Sequence, residues 1–180
     1  MLKITIPEKE YFDDYTQTFF TLKQQTLQLE HSLVSLSKWE SKWEKPFLTK
    51  DKKTTEETID YIRCMTLTQN VDPSVYKRIT NEIIDQVTEY IEAKMTATWF
   101  TEEKKGNVNR EVITNEIIYW WMINFNIPFE CQKWHLNRLL TLIRVCSAKN
   151  APPKKMGEKE WASKRRALNA ARRKSLHSKG

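Results

Sequence analysis

The sequence predicts a mainly α protein: a compact multi-helix domain with a small N-terminal β element and a basic, helical or flexible C-terminal tail. Three observations predict it. Apolar residues recur at helical spacing along much of the stretch from 31 to 150. Only three of the 180 residues are glycine, too few for a turn-rich all-β fold. Charge is divided unevenly: residues 151–180 hold ten Lys/Arg against two Glu, a net of +8, while residues 1–150 hold twenty against twenty-one Asp/Glu, a net of −1. The chain therefore reads as a nearly neutral helical domain, 1–150, followed by a basic tail, 151–180.

One domain with a proper core fits this length, and seven Trp, seven Phe and six Tyr can supply it. No run of 18 apolar residues exists, so no membrane span is expected. Met1 to Pro7 lacks the apolar stretch of a signal peptide. Three cysteines, an odd and low count, fit a reduced, cytoplasmic setting.

Leu2, Ile4 and Ile6 alternate with Lys3 and Thr5, which predicts a short strand closed by Pro7. Glu8 to Thr18 reads as a loop. Phe19 to Leu29 alternates again and completes a small sheet. From His31 to Lys45 the period becomes helical: Leu29, Leu33, Leu36, Trp43 and Phe47 fall on one line, interrupted by Glu40. Pro46 ends that helix. Trp39 and Trp43, four apart, lie on adjacent turns. After a charged loop at 49–53, Thr54 and Glu57 form a capping box opening a helix through Ile59, Ile62 and Met65. Asp72-Pro73 opens a short helix through Tyr76. A clean amphipathic stripe follows: Ile83, Ile84, Val87, Tyr90 and Ile91.

Lys94 to Lys105 reads as a linking loop, with Trp99 and Phe100 tucked onto the core and a turn at Gly106-Asn107. Asn109 is expected to cap a helix carrying Val112, Ile113, Ile117, Trp120 and Trp121. The corner Asn126-Ile127-Pro128 redirects the chain into a second helix from Glu130 to Lys149. That helix carries Leu136, Leu139, Leu140, Ile143 and Cys146 on one stripe, with Trp134, Leu142 and Val145 off it. An arc so wide predicts cover on more than one side and makes this the central element. Ala151 to Lys155, with two prolines, reads as a semi-rigid linker. Glu158 to Leu176 is rich in helix formers, but its large apolar residues are only Trp161, Leu168 and Leu176, so it is expected to be loose until it meets a partner.

No catalytic set emerges, and no enzyme activity, metal or other cofactor is expected. Cys131 and His135 stand at i and i+4, a spacing a metal or a nucleophile pair could use. Cys146 would lie about 22 Å further along the helix axis at 1.5 Å per residue. Asn137 would project from another face, so neither a zinc set nor an oriented Cys-His pair is completed. A buried thiol and a hydrogen-bonded core histidine are expected instead. Carboxylates such as Asp13, Asp14, Glu56, Glu57 and Asp60 suit caps and solvated loops, and three glycines cannot build a phosphate-binding loop. The pairs Trp120-Trp121 and Trp39/Trp43 are read as core.

The candidate partner-binding residues lie in the tail: Trp161, Lys164, Arg165, Arg166, Leu168, Arg172, Arg173 and Lys174. Nucleic acid would use the cations as phosphate contacts. A helical or acidic protein would use Trp161 and Leu168 as anchors. The apolar face is thin for a membrane, and no membrane partner is expected.

Four strings together carry a family resemblance. They are Thr26 to Glu40 (TLQLEHSLVSLSKWE), Met95 to Phe100 (MTATWF), Ile127 to Cys146 (IPFECQKWHLNRLLTLIRVC) and Pro152 to Met156 (PPKKM). The chain resembles the tail assembly chaperone-like proteins of long-tailed bacteriophages along nearly its whole length. The resemblance implies a non-catalytic helical protein of the host bacterial cytoplasm. It would bind the tape measure protein, or another tail protein, and keep it soluble while tail subunits polymerise around it. A translational frameshift often gives such proteins a longer form. Two other readings stay open: a nucleic-acid-binding or packaging accessory protein acting through the basic tail, and a structural head–tail or tail component.

Overall fold

The computed structural model describes residues 1–13, 17–100, 112–151 and 158–176, which fall into two units, Met1–Ser147 and Ala148–Gly180. The expected turn at Gly106-Asn107, the Asn109 cap and the Pro152-Pro153 linker lie outside the described residues.

The N-terminal alternation becomes strand β1 (Leu2–Ile6), with Ile4 and Ile6 buried. The segment expected to be a loop instead contains a strand, β2 (Lys9–Asp13), and the Phe19–Leu29 stretch divides into β3 (Thr18–Leu22) and β4 (Gln25–Leu29). Strand β1 pairs antiparallel with β4, Leu2 facing Leu29 and Ile4 facing Leu27; β2 pairs with β3, Lys9 facing Leu22. Both ladders keep one register, so they form a single hairpin with a break at its waist. Pro7, which has no N–H to give, sits at that break. There the Arg78 guanidinium donates to the carbonyls of Pro7 at 2.8 Å and Lys23 at 3.5 Å.

Helix α1 (Leu33–Trp43) opens on a Ser32/Ser35 capping box and ends at Glu44 in the left-handed region, φ 51°. Helix α2 (Thr55–Met65) opens on the expected Thr54/Glu57 box. The two helices are tied by side chains as well as by packing. Trp39 Nε1 donates to the Glu57 carbonyl and Trp43 Nε1 to the Asp60 carboxylate, both at 2.9 Å. The Trp39 and Trp43 rings stack 6.1 Å apart. A 3-10 turn (Pro73–Arg78) leads to α3 (Asn81–Glu92), which buries Ile83, Val87 and Tyr90 as its stripe predicts.

Helix α4 (Asn115–Asn124) starts later than expected, at a Thr114 cap, leaving Val112 and Ile113 exposed ahead of it. Trp99 is 81% exposed with Lys94 over its ring, so it does not tuck onto the core; Phe100 instead carries the Arg144 guanidinium at 4.0 Å. The corner at Asn126 is present, with φ 53°. Beyond it the single helix expected from Glu130 to Lys149 is two pieces. A 3-10 turn (Phe129–Lys133) is followed by extended backbone at Trp134, and α5 (Leu136–Asn150) begins after it. The cause is a backbone partner from elsewhere: Leu136 N–H donates to the His31 carbonyl at 2.7 Å, and Ser32 bridges His135.

The core of the first unit gathers Ile4, Ile6, Leu27 and Leu29 from the hairpin with Leu33, Leu36 and Trp39 of α1, Ile62 and Met65 of α2, Ile118 and Met122 of α4, and Leu136, Leu139 and Ile143 of α5. The helix most surrounded is α1, which packs against α2, α4 and the 3-10 turn at 129–133. This shifts the centre of the fold from α5 to α1. The second unit carries α6 (Glu158–Ser175).

Candidate interaction surfaces

His31 and His135 meet inside the first unit, ring centroids 5.1 Å apart. The Tyr61 hydroxyl, whose pKa burial pushes far up, shares a hydrogen bond of 2.5 Å with His31 Nδ1. His135 Nε2 donates to the Tyr90 carbonyl at 3.0 Å, and its Nδ1 accepts from the Asn137 N–H at 3.3 Å. Both nitrogens of His135 are therefore occupied. Cys131 is buried in the 3-10 turn, off any helix shared with His135. Among the described residues no three His, Cys, Asp or Glu side chains are grouped to hold a metal ion.

Burial, with His135 beside it, lowers the His31 pKa to about 3; burial also lowers that of His135, against the Tyr90 hydrogen bond and the Glu30 charge. A histidine with a native pKa below its unfolded value of about 6.5 favours the neutral form in the fold. Between those two values the unfolded chain binds more protons, so stability falls as pH falls. Above about 6.5 the effect vanishes. The expected loss from His31 between pH 7 and pH 5 is about 2 kcal/mol. Denaturant titrations of the wild type and His31→Gln across that range check it: the variant should show a shallower slope. Equal slopes would remove His31 as the cause.

Clefts beside α1 and α2 hold charged groups already engaged with one another. One of about 330 Å³ is lined by Trp39, Lys45, Lys53 and Glu57 among others. There Lys45 pairs with Glu57 at 2.7 Å, and the Lys53 ammonium donates to the Phe47 carbonyl while lying 4.2 Å from its ring. In a second, of about 580 Å³, Lys42 pairs with Asp60.

The surface that periodicity misplaced is on α4. Its sequence, NEIIYWWMIN, is apolar nearly all round. One side is sealed, with Ile118 and Met122 at 0% exposure. The other is open: Trp120 is 59% and Ile123 61% exposed, so Trp120 is not core. Trp120 and Ile123 are three apart and neighbours on the helix. Tyr119, four before Ile123, continues the surface to Phe129, ring centroids 6.4 Å apart, and Phe129 is itself 53% exposed. Tyr119 is anchored by its hydroxyl donating to Gln132 at 2.8 Å. Tyr119, Trp120 and Ile123 on α4, with Phe129 on the 3-10 turn that follows, thus make one apolar ridge. Patches of this kind on folded domains mark contact sites.

All eight tail residues singled out from the sequence lie on α6 and are exposed. The Arg165 guanidinium lies 4.9 Å from the Trp161 ring centroid. Trp161 and Leu168 remain about half exposed. No helix among the described residues is long and apolar enough to cross a membrane. Compared with known proteins, the chain matches no protein-family model, no curated protein and no solved structure.

Proposed function

We propose that this chain is a non-enzymatic, tail assembly chaperone-like protein of a long-tailed bacteriophage. It binds the tape measure protein in the host bacterial cytoplasm and holds it soluble while the tail forms. The observation that carries the reading is the exposed ridge of Trp120 and Ile123 on α4 with Phe129 on the 3-10 turn after it. A ridge suits a helical client, because helices pack by setting ridges into grooves. The body's charge is close to neutral, so burial of aromatic and aliphatic area is the main source of affinity there. An elongated helical client with repeated apolar stripes offers such a surface many times over and gains from multivalent capture.

Co-expression with the tape measure protein of the same phage, followed by co-purification, tests the proposal. The wild type should retain the client in soluble form. Trp120→Ala with Ile123→Ser should weaken retention about 30-fold, the effect of losing roughly 2 kcal/mol of anchor energy. These side chains are solvent-exposed, so the melting temperature should hardly move. Full retention by the double variant would end the assignment of the client to α4. So would a ridge that merely seals a homodimer, seen as loss of the dimer by light scattering without change in client solubility.

A further inference from the structure

The sequence leaves the tail open to protein or nucleic acid, and the helix it forms separates the two. Between Trp161 and Leu176 there are six Lys/Arg and no Asp or Glu. At about 100° per residue, Arg165 and Arg172 fall on the same line as Trp161 and Leu168. Arg166, Arg173 and Lys174 lie round the other side. A helix that docks in a protein groove shows apolar anchors at i, i+3, i+4 and i+7. Here the positions three and four after Trp161 are Lys164 and Arg165, and the position four after Leu168 is Arg172. A bilayer would meet the same interruption: its buried line would carry two guanidiniums. Neither partner explains cations on every side of one helix.

We infer that α6 binds duplex DNA, sequence-independently, lying in the major groove with phosphates on both walls. That groove, about 12 Å wide, admits an α-helix, and the groove of A-form RNA is too narrow. The helix has 18 residues and is therefore about 27 Å long, enough to follow one groove segment. Its cations point to both walls at once. Ala167, Ala170 and Ala171 keep the helix slim where backbones must approach. The affinity resides in this helix, since residues 1–150 carry a net charge of −1. This activity is independent of the α4 ridge and is read without any client protein.

The test uses the full chain and a fluorescent 30-base-pair duplex of random sequence, with anisotropy followed from 50 to 200 mM salt. Six neutralised phosphates give a log–log slope of about −5, so affinity should fall about 10³-fold across the range. The variant Arg165→Gln, Arg166→Gln, Arg172→Gln, Arg173→Gln keeps two of those six cations, Lys164 and Lys174, and its slope should shrink to about −2. Trp161→Ala with Leu168→Ala should leave the slope unchanged. Absence of duplex binding at 50 mM salt overturns the inference, as does binding that ignores salt or survives the four Gln substitutions. Tighter binding to single-stranded RNA of equal length, or to phosphatidylserine vesicles, would also overturn it.

Discussion

Glu40→Ala should cost about 3–5 kcal/mol, the size expected when three buried N–H donors lose one shared acceptor. Glu40 is 7% exposed. One carboxylate oxygen accepts the Phe47 N–H at 2.7 Å. The other accepts from the Asn115 backbone N–H at 2.8 Å and from Asn115 Nδ2 at 2.7 Å. A single side chain thus fixes the loop after α1 and the first residue of α4. Removing it leaves buried N–H groups without an acceptor, each costing about 1–3 kcal/mol. Glu40→Gln is the sharper probe, since it keeps the volume but turns one acceptor oxygen into a donor facing other donors. Thermal denaturation should show a fall of roughly 2–4 °C per kcal/mol for a chain of this size. A double-mutant cycle with Asn115→Ala should give a coupling of about 0.5–3 kcal/mol. Additive effects would mean that the bond between the Asn115 and Glu40 side chains carries no energy of its own.

Glu40 also shows where sequence reasoning stops. It stands on the apolar line of α1 and reads as an interruption of the stripe. Its partner, Asn115, is 75 residues away, and nothing local announces it. By contrast the Thr54/Glu57 box needs only four consecutive residues, and it is legible. The α3 stripe is legible for the same reason, because its period alone selects the buried side. Helix α4 fails that criterion. When nearly every residue is apolar, periodicity identifies a helix but not the side that has a neighbour, and Trp120 falls on the open one. Strand β2 was hidden by a mixture of charged and aromatic residues without an apolar face. The tail cations were visible as composition. Their distribution around the helix needed its bounds.

The uneven cover of α5 produces the second large effect. The sequence stripe puts Leu136, Leu139, Leu140 and Ile143 together in the core. In the fold, α5 buries Leu136 and Leu139 at 0% and Ile143 at 6%, with Leu140 only partly covered. The two adjacent leucines should therefore behave differently. Leu139→Ala removes a side chain enclosed by the core and leaves a cavity that neighbours can only partly fill, at about 2–5 kcal/mol. Ile143→Ala belongs in the same range. Leu140→Ala gives up partly solvated area and should cost about 1 kcal/mol, the centre of the distribution for point variants. Denaturant midpoints for the three variants, at unchanged slope, decide the matter. Equal losses at 139 and 140 would place both leucines in the core, as the sequence stripe has them, and would contradict the partial cover of Leu140.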